Sequence, residues 1–555
     1  MVNTKCIKIN NNVLDTLKND FEHNLQINNI QSYFPILSLF LEFYNESNTS
    51  FILNSTYLVT KLIEPIKVKK DDSYIKNFFD ATILNKYTNE KTDQKIFTKI
   101  LPILNVSQAM MNDYNTYHNS KLPNIFHNLT NKKINNYNNS AYIDSFFSFL
   151  GSKLTEENKC PTFPLFFGTF TGIADEFMYD ISEEYNSIKQ TSWYKKNVNK
   201  HFKIHNTDID SNTFENINIE CSDIHDILKE YNSDGEAESN PPSDGEVESH
   251  PPSDGEAESK PPSDDEAESN PPSDGEAESK PPSDGEADSD SNSNISSNML
   301  QHYDSLSLCS SKLSLSNSDI YELNYCCFVD FPVQINCIEM LSYTLDNYID
   351  NTNNNISDEE WTSILFQTCF GLAVAQKQYD FVHNDLHSSN IMFNDTSKEY
   401  MYYNFKGNYF KLPTFGKITK IIDFGRATFN YKNKLFFSDV FRKNGEAEGQ
   451  YNYPYYNNLD KCKIKPNKSF DLSRLATTII EHFDKDSDLY KLLKLWCMDK
   501  HGNFLMDLED DFNLYRTIAK YVKSAVPKNQ INKLIFKKFI VNKSDIPENE
   551  IIYNY

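Results

Sequence analysis

A ten-residue repeat in the middle of the chain limits what the rest of it can fold into. From 241 to 290, after a partial copy that starts at 231, the sequence cycles through copies such as PPSDGEAESK and PPSDDEAESN. These copies contain paired prolines, serines and acids, and valine is their only branched apolar residue. Such a segment cannot bury enough surface to offset the entropy lost on ordering. The repeat is therefore predicted to be disordered, and the fold must be assembled from the segments on either side of it.

The repeat also accounts for most of the charge of the chain. The 555 residues include 79 acidic and 54 basic side chains, a formal net charge of -25, and most of the acidic excess lies between 231 and 290. The remainder is closer to balance and lacks the clustered Lys and Arg that nucleic acids and membrane surfaces require. We therefore expect neither a nucleic-acid partner nor a membrane partner.

Each full copy of the repeat places a serine directly before an acidic residue, with another acid three residues beyond the serine. This pattern suits an acidophilic kinase, so the repeat is a candidate phosphorylation target or interaction segment. The alternative is an expanded, solvated spacer, which is common for low-complexity segments.

The repeat lies within a longer polar region, about 180 to 320, that two apolar runs enclose. FPLFFGTFTGI (163–173) and FPVQINCIEML (331–341) have the length and flanking turn residues of strands. The sequence therefore predicts a long insertion between two neighbouring strands.

Cysteine usage and the N-terminus indicate the compartment. The ten cysteines include no CxxC pair, so neither a zinc site nor a disulfide framework is predicted, and a reducing compartment is favoured. The first ten residues lack a signal-peptide core, and the apolar stretch 33–44 is too short to span a bilayer and contains Glu42. We expect a soluble intracellular protein.

After the insertion, a predicted helix leads into a polar loop. The helix begins with Ser357 and Glu360, which are spaced as a capping box. The loop lies in FVHNDLHSSNIMFN (381–394), where a histidine, an acid and an amide stand between two apolar stretches. Further on, KIIDFGRA (420–427) reads as an apolar strand followed by Asp-Phe-Gly.

These two motifs, in this order, resemble the catalytic loop and the metal-binding motif of the protein-kinase superfamily. The long stretch between Asp385 and Asp423, together with SDVFRKNGEAEGQYNYP (438–454), is similar to the serine/threonine protein kinases of giant DNA viruses of the mimivirus type. The resemblance implies an α+β, bilobal kinase-like fold with a small β-rich N-lobe and a larger helical C-lobe. It places the acidic insertion in the N-lobe.

The resemblance also implies a division of the chain and a location. Residues 1–70 would form an N-terminal helical extension, 71–340 the N-lobe and 341–555 the C-lobe. The implied partners are ATP, a protein substrate of unknown identity and, for the repeats, an acidophilic kinase of the host. The implied location is the host cytoplasm, with packaging in the virion as an alternative.

The roles of the motif residues follow from the chemistry of phosphoryl transfer, which is mostly positioning and charge neutralisation. Asp385 is expected to orient the substrate hydroxyl and accept its proton. Asn390 and Asp423 supply oxygen ligands suited to Mg²⁺. The resemblance gives structural roles to His383, next to the DFG motif, and to Asp471, which would hold the catalytic-loop backbone.

The resemblance places the ATP contacts in two upstream strands. QKIFTKILPIL (94–104) contains Lys99 where the family keeps the lysine that contacts the α- and β-phosphates; the alternative is an ordinary strand lysine. Backbone groups from Glu339 to Leu341 are expected to contact adenine, with the aliphatic Ile338 behind them.

Several positions depart from the kinase pattern. The first glycine of the chain is Gly151, so the Gly-rich phosphate loop is missing, and KKDDSYIKN (69–77) stands in its place. The helix that should supply a glutamate to Lys99 offers only Asp144. Asn384 replaces an arginine that pairs with phosphorylated activation loops, and His387 replaces a lysine.

Three functions therefore remain open at this point. The first is an active protein kinase, most simply one for Ser or Thr. The second is a pseudokinase that acts as a binding scaffold, which the missing glycines and glutamate favour. The third is a small-molecule kinase, since Asp-Leu-His is also found in that class.

Overall fold

The computed structural model describes residues 4–41, 50–67, 74–114, 121–124, 132–209, 321–442, 445–451, 466–508 and 511–555. The acidic repeats lie outside the described residues, and so do residues 68–73, which include most of the segment predicted to replace the Gly-rich loop. The predictions for both segments therefore stay predictions.

The described residues form a mixed α and β structure. Its strands are β1 (Cys6–Lys8), β2 (Ile27–Gln31), β3 (Phe51–Leu53), β4 (Tyr57–Lys67), β5 (Tyr74–Asn85), β6 (Lys91–Pro102), β7 (Phe166–Asp180), β8 (Lys203–Ile209), β9 (Tyr321–Glu339), β10 (Tyr343–Thr344), β11 (Ile391–Asp395), β12 (Tyr400–Phe405), β13 (Asn408–Pro413), β14 (Lys417–Ile421), β15 (Thr428–Tyr431), β16 (Lys434–Phe437), β17 (Ile540–Val541) and β18 (Ile552–Asn554). Its α-helices are α1 (Asn11–Leu25), α2 (Val106–Met110), α3 (Ser140–Glu156), α4 (Ser182–Ile188), α5 (Ser192–Asn197), α6 (Leu345–Asn351), α7 (Asp358–Tyr379), α8 (Phe470–Ile479), α9 (Asp488–Trp496), α10 (Asp511–Tyr521) and α11 (Pro527–Gln530).

The largest sheet has seven strands in the order β2-β7-β9-β6-β5-β4, and β8 also pairs with β9. The two apolar runs predicted as neighbouring strands lie in β7 and β9, which pair antiparallel from Phe166 opposite Ile338 to Asp180 opposite Tyr325. The strand predicted around Lys99 is β6, and it pairs with the other edge of β9. The prediction of neighbouring strands that flank the insertion is confirmed.

The polar region between the two strands is partly structured. Its first part, residues 182–209, contains α4, α5 and β8. Strand β8 pairs antiparallel with the first part of β9, from Lys203 opposite Cys327 to Ile209 opposite Tyr321. The segment between β7 and β9 does begin near 180, but strand pairing with β9 gives a regular structure to a sequence that is too polar to be recognised as a strand.

The first 70 residues are less helical than expected. Helix α1 is present, but β2 and β4 both belong to the seven-stranded sheet. Strand β4 pairs with β5 along most of its length, so a boundary at 70 falls between two strands of one sheet. The helical character expected for this segment holds for α1, and tertiary pairing overrides it elsewhere.

The second half of the described chain combines helices with short sheets. Strands β10, β11 and β14 form a three-stranded sheet that carries the polar loop and the DFG motif at its ends. The long stretch between these motifs contains the hairpin β12–β13, which turns at Lys406 (φ 53°) and Gly407 (φ 91°). Glycine tolerates this left-handed backbone without strain. Strands β17 and β18 from the end of the chain complete that sheet.

Helix α7 delivers the chain into the polar loop. The Ser357 side chain accepts a hydrogen bond from the Glu360 N–H (3.2 Å), as the capping box predicts. The Glu360 carboxylate instead accepts hydrogen bonds from Tyr348 and Lys417, so only half of the box forms. Gly371 allows close packing, since a β-carbon there would lie 2.6 Å from the Thr162 side chain.

Two further findings bear on the sequence predictions. Among the residues described, none of the helices is both long and apolar enough to cross a membrane. The seven cysteines that fall within the described ranges form no disulfide with one another.

Candidate active site

A buried lysine joins two carboxylates from distant parts of the chain. The Nζ of Lys99, in β6, lies 2.9 Å from Oδ2 of Asp144 in α3 and 2.8 Å from Oδ1 of Asp423, which follows β14. Lys99 is 3% exposed, so the charges attract one another in a medium that screens them weakly. The structure therefore brings together Lys99, the DFG aspartate and the residue that the sequence offered as a doubtful partner.

The Asp144 carboxylate is held by further hydrogen bonds. Its Oδ1 accepts from Asn336 Nδ2 and its Oδ2 accepts from the Phe424 N–H, both at 2.8 Å. Asn336 is the cross-strand partner of Lys99. Burial raises the pKa of Asp144, and the ammonium of Lys99 opposes that shift. The side chain is thus fixed by a strand, a helix and the DFG backbone together.

The Asp385 carboxylate lies in the polar loop between a tyrosine and an arginine. Its Oδ1 accepts a hydrogen bond of 2.5 Å from the Tyr515 hydroxyl, and its Oδ2 lies 3.6 Å from Nε of Arg426. Arg474 Nε donates to the same hydroxyl at 2.9 Å. Burial raises the pKa of Tyr515, so this hydroxyl stays protonated and donates to the carboxylate.

Asn390 connects the polar loop to the DFG motif. Its Nδ2 donates to the Asp385 carbonyl (2.9 Å) and lies 3.1 Å from His387 Nε2. The backbone carbonyl of Asn390 accepts from the Ile422 N–H at 3.1 Å, directly before Asp423. Because the Nδ2 protons of Asn390 are directed to Asp385 and His387, its side-chain oxygen is the atom suited to a cation.

His383 and Asp471 form hydrogen bonds with backbone groups of the polar loop and of the segment before Asp423. The carboxylate of Asp471, in α8, accepts the backbone N–H groups of His383 and Asn384, both at 3.0 Å. The His383 ring Nε2 lies 2.7 Å from the Ile422 carbonyl. Burial raises the pKa of Asp471 to about 6, opposed by His383 and the two N–H groups. Both residues make the backbone contacts expected of structural residues.

Among the described residues, the side chain of Asn384 forms hydrogen bonds only with uncharged groups. Its Nδ2 donates to the carbonyls of Val382 (3.2 Å) and Arg426 (2.9 Å) and to Thr428 Oγ1 (3.2 Å). The Tyr451 hydroxyl donates to its Oδ1. Asn384 (φ 68°) and Asp423 (φ 65°) both adopt the left-handed conformation, which Asn and Asp tolerate better than most residues.

The residues expected to contact adenine lie at the end of β9. The Glu339 carboxylate forms an ion pair with Lys420 (3.0 Å), so its side chain is occupied within the protein. Leu341 packs in a small buried cluster with Met392 and Ile422. Since Met392 follows the polar loop and Ile422 precedes Asp423, this cluster adjoins the carboxylates described above.

Several residues of the site were missed by sequence reasoning. Asn336 and Lys420 lie in strands whose pattern indicates only burial. Tyr515 is 130 positions from its partner Asp385 and belongs to no motif, so the sequence contains no signal for it. Arg426 directly follows the DFG motif, and a basic residue at that place is a signal that could have been used.

Comparison with known proteins supports a relationship to protein kinases. No family model matches the chain. The chain is 30% identical over 114 residues to a serine/threonine-protein kinase haspin homolog of Arabidopsis thaliana, a match that covers 20% of this chain and 17% of that protein. It is 32% identical over 93 residues to the serine/threonine-protein kinase haspin of Bos taurus, covering 17% and 12%.

A third relative is a probable serine/threonine-protein kinase of Dictyostelium discoideum, 36% identical over 88 residues, which are 15% of this chain and 7% of that protein. The chain thus spans less than a fifth of the length of each of these relatives. The similarity is weak and partial, and it supports a protein-kinase-like relationship of the haspin type. The finer resemblance to giant-virus kinases stays a prediction.

Proposed function

We propose that this protein is an ATP-dependent protein kinase that transfers the γ-phosphoryl group to a serine or threonine hydroxyl. One observation carries the proposal: Lys99 joins Asp144 and the DFG aspartate Asp423, while Asp385 lies on the adjoining loop. A cation and several oxygen donors from separate elements are what phosphoryl transfer requires. The partial similarity to serine/threonine kinases supports the same class.

The proposal includes a two-lobed arrangement. The seven-stranded sheet and α3, which supply Lys99 and Asp144, would form the N-lobe. The elements after β9, which supply Asp385, Asn390 and Asp423, would form the C-lobe. The contacts of Lys99 with residues from both parts support this division, because a site between two lobes needs a group that both of them hold.

The side chains between the two proposed lobes fit ATP and Mg²⁺. Asn390 and Asp423 offer an amide oxygen and a carboxylate, and Mg²⁺ prefers such hard oxygen ligands in small number. Bound ATP with magnesium would supply the phosphoryl group and neutralise its charge. Asp144 holds the Lys99 ammonium for the phosphates, and Leu341 would present backbone groups to the adenine.

Asp385 orients the acceptor hydroxyl and takes up its proton. The Arg426 guanidinium lies 3.6 Å from Oδ2, so its positive charge faces the carboxylate that acts as the base. An acceptor hydroxyl that donates to Oδ1 would take the position that the Tyr515 hydroxyl occupies, 2.5 Å from that oxygen. Tyr515 therefore competes with the substrate for the carboxylate.

Nucleotide binding is the first test of the proposed function. A ligand that binds only the folded state stabilises it by about 2.7 kcal/mol at a concentration 100-fold above its Kd. We expect ATP with Mg²⁺ to raise the melting temperature of the full chain by several degrees, measured by calorimetry. The rise should disappear when Mg²⁺ is chelated and in Asp423→Ala. No shift, together with no phosphoryl transfer, would favour the scaffold function instead.

Replacing Tyr515 by phenylalanine should improve use of the acceptor. A hydrogen bond to a charged group contributes about 1.5–3 kcal/mol, so its removal should lower the KM for a protein substrate about tenfold or more. Initial rates at varied substrate concentration measure this effect. Tyr521→Phe, in the same helix α10, is the matched control and should leave the KM unchanged. A fall in kcat without a change in KM would show that Tyr515 positions Asp385 rather than blocking it.

A further inference from the structure

Three potential metal ligands lie on one face of the seven-stranded sheet, away from the candidate active site. Glu176 is in β7, His205 in β8 and Cys327 in β9. Cys327 pairs with Met178 on one side and with Lys203 on the other. Residues directly opposite one another share a face, and so do residues two apart along a strand. Glu176 and His205 therefore stand diagonally on either side of Cys327, on its own face.

The ligand atoms of these side chains converge. One carboxylate oxygen, one imidazole nitrogen and the thiol sulfur all lie within 4.8 Å of one another. The Sγ of Cys327 is 2.8 Å from Oε1 of Glu176. Around a tetrahedral zinc ion with bonds of about 2.0–2.3 Å, ligand atoms are roughly 3.3–3.8 Å apart. Side-chain rotations would therefore have to move Sγ and Oε1 slightly apart, and they would bring any ligand atoms near the 4.8 Å limit closer together.

A second observation also indicates a missing ligand. The Nε2 of His205 is shielded from solvent and has no hydrogen-bond partner. A buried polar atom without a partner costs free energy. A metal ion bound to the ring would alter this cost, because it determines which of the two ring nitrogens carries the proton. Cys327 is 3% exposed whereas Glu176 is exposed, so the set combines a protected thiol with an accessible carboxylate.

The donor set selects the class of metal. Thiolate and imidazole favour zinc and similar transition metals, whereas Mg²⁺ and Ca²⁺ prefer oxygen ligands only. Three protein ligands leave the fourth position of a tetrahedral ion for water. This chemistry differs from that of the candidate active site, where oxygen ligands and a lysine come together.

The three potential ligands lie on strands on either side of residues 210–320 in the sequence, which indicates what a bound metal would do. Residues 210–320, which contain the acidic repeats, separate β8 from β9 along the sequence. His205 precedes these residues and Cys327 follows them. A cation held by both, and by Glu176 of β7, would link the strands on either side of them. Such a link offsets part of the entropic cost of bringing together chain segments that are far apart in the sequence.

We propose that Glu176, His205 and Cys327 bind a zinc ion that links β8 to β9, the strands that precede and follow residues 210–320. Metal binding would release the thiol proton of Cys327, because the ligand is the thiolate. The hydrogen bond from Cys327 to Glu176 would be replaced by two bonds to the ion.

Zinc titration of the metal-free full chain tests this proposal without any assay of kinase activity. The protein is treated with a chelator under reducing conditions, and Zn²⁺ binding is followed by calorimetry. We expect one tight site whose affinity falls by more than about 100-fold in Cys327→Ala and in His205→Gln, since loss of outer partners alone costs 10- to 100-fold. Binding of Co²⁺ should give a thiolate charge-transfer band that Cys327→Ala abolishes.

Two further variants keep the test decisive. Cys326→Ala removes the neighbouring thiol, which points to the opposite face, and should retain the site and the cobalt band. Glu176→Gln changes an exposed side chain, so it should fold normally and still weaken zinc binding. Zinc should raise the melting temperature of the unsubstituted chain and of Cys326→Ala only. Absence of tight binding, or binding that is equal in all variants, would overturn the proposal.

Discussion

Asp385→Asn should lower the rate of phosphoryl transfer by about 10²- to 10⁴-fold, the range for loss of a general base. The amide keeps the shape of the carboxylate and its oxygen can still accept the Tyr515 hydroxyl. It cannot take up a proton from the acceptor, and its amino group would face Nε of Arg426, which is also a donor. The chemistry should therefore be lost while the fold is retained.

The measurement is the initial rate of transfer from labelled ATP to a mixed protein substrate, with Mg²⁺ present. Asp395→Asn is a suitable control, since this carboxylate at the end of β11 is exposed and accepts a hydrogen bond from the Ser342 hydroxyl, away from the candidate active site. The thermal shift with ATP should persist in Asp385→Asn, which separates chemistry from binding. Transfer that is unchanged in both Asp385→Asn and Asp423→Ala would place the chemistry elsewhere in the protein.

Local patterns in the sequence were sufficient for the polar loop and its surroundings. His383, Asp385 and Asn390 lie within eight residues, so their spacing alone determines that they share one loop. Strands β7 and β9 were recognisable because both contain continuous apolar runs. The long hairpin after the loop was visible as extra length before Asp423, and it forms β12 and β13.

The partner of Lys99 shows why the site could not be completed from sequence. Asp144 looked too short for the place of a glutamate. In the folded chain, helix α3 lies close enough to the sheet for the aspartate to reach: Ser145 Oγ lies 2.7 Å from Asn336 Oδ1 in β9, and Asp144 Oδ2 lies 2.9 Å from Nζ of Lys99. How closely a helix packs on a sheet depends on contacts between distant segments, so the length of the acid alone did not reveal this contact.

Contacts between distant segments leave no local pattern. Tyr515 meets Asp385 through the packing of α10, and β8 is ordered by pairing with β9. In both cases the local sequence, that of α10 or of β8, has the pattern of an ordinary polar helix or loop. Strand β4 illustrates the same limit, because Pro65 interrupts a pattern that would otherwise predict a strand.

Lys99→Met should abolish transfer and also destabilise the fold. The substitution keeps most of the apolar stem but removes the cation between Asp144, whose side chain is 2% exposed, and Asp423. Removing one partner of a buried ion pair typically costs 3–5 kcal/mol, because the remaining charge is left uncompensated. We expect a loss of about this size in the free energy of unfolding, measured with denaturant.

The double variant Lys99→Met/Asp144→Asn separates the two effects. Neutralising Asp144 removes the uncompensated charge, while the amide oxygen can still accept the Phe424 N–H. The double variant should therefore be less destabilised than the sum of the single variants, by about 0.5–3 kcal/mol. Transfer should remain absent in it, because Lys99 is still missing.

The pH dependence of the single variant gives an independent check. Burial and the neighbouring Asp423 raise the pKa of Asp144, and only Lys99 and hydrogen bonds oppose that shift. Without Lys99, the folded state of the variant binds a proton at higher pH than the unfolded chain does. Its stability relative to the unsubstituted chain should therefore increase as the pH falls through the raised pKa. A deficit that stays constant from neutral to acidic pH would show that the lost stability comes from packing rather than from the buried carboxylate.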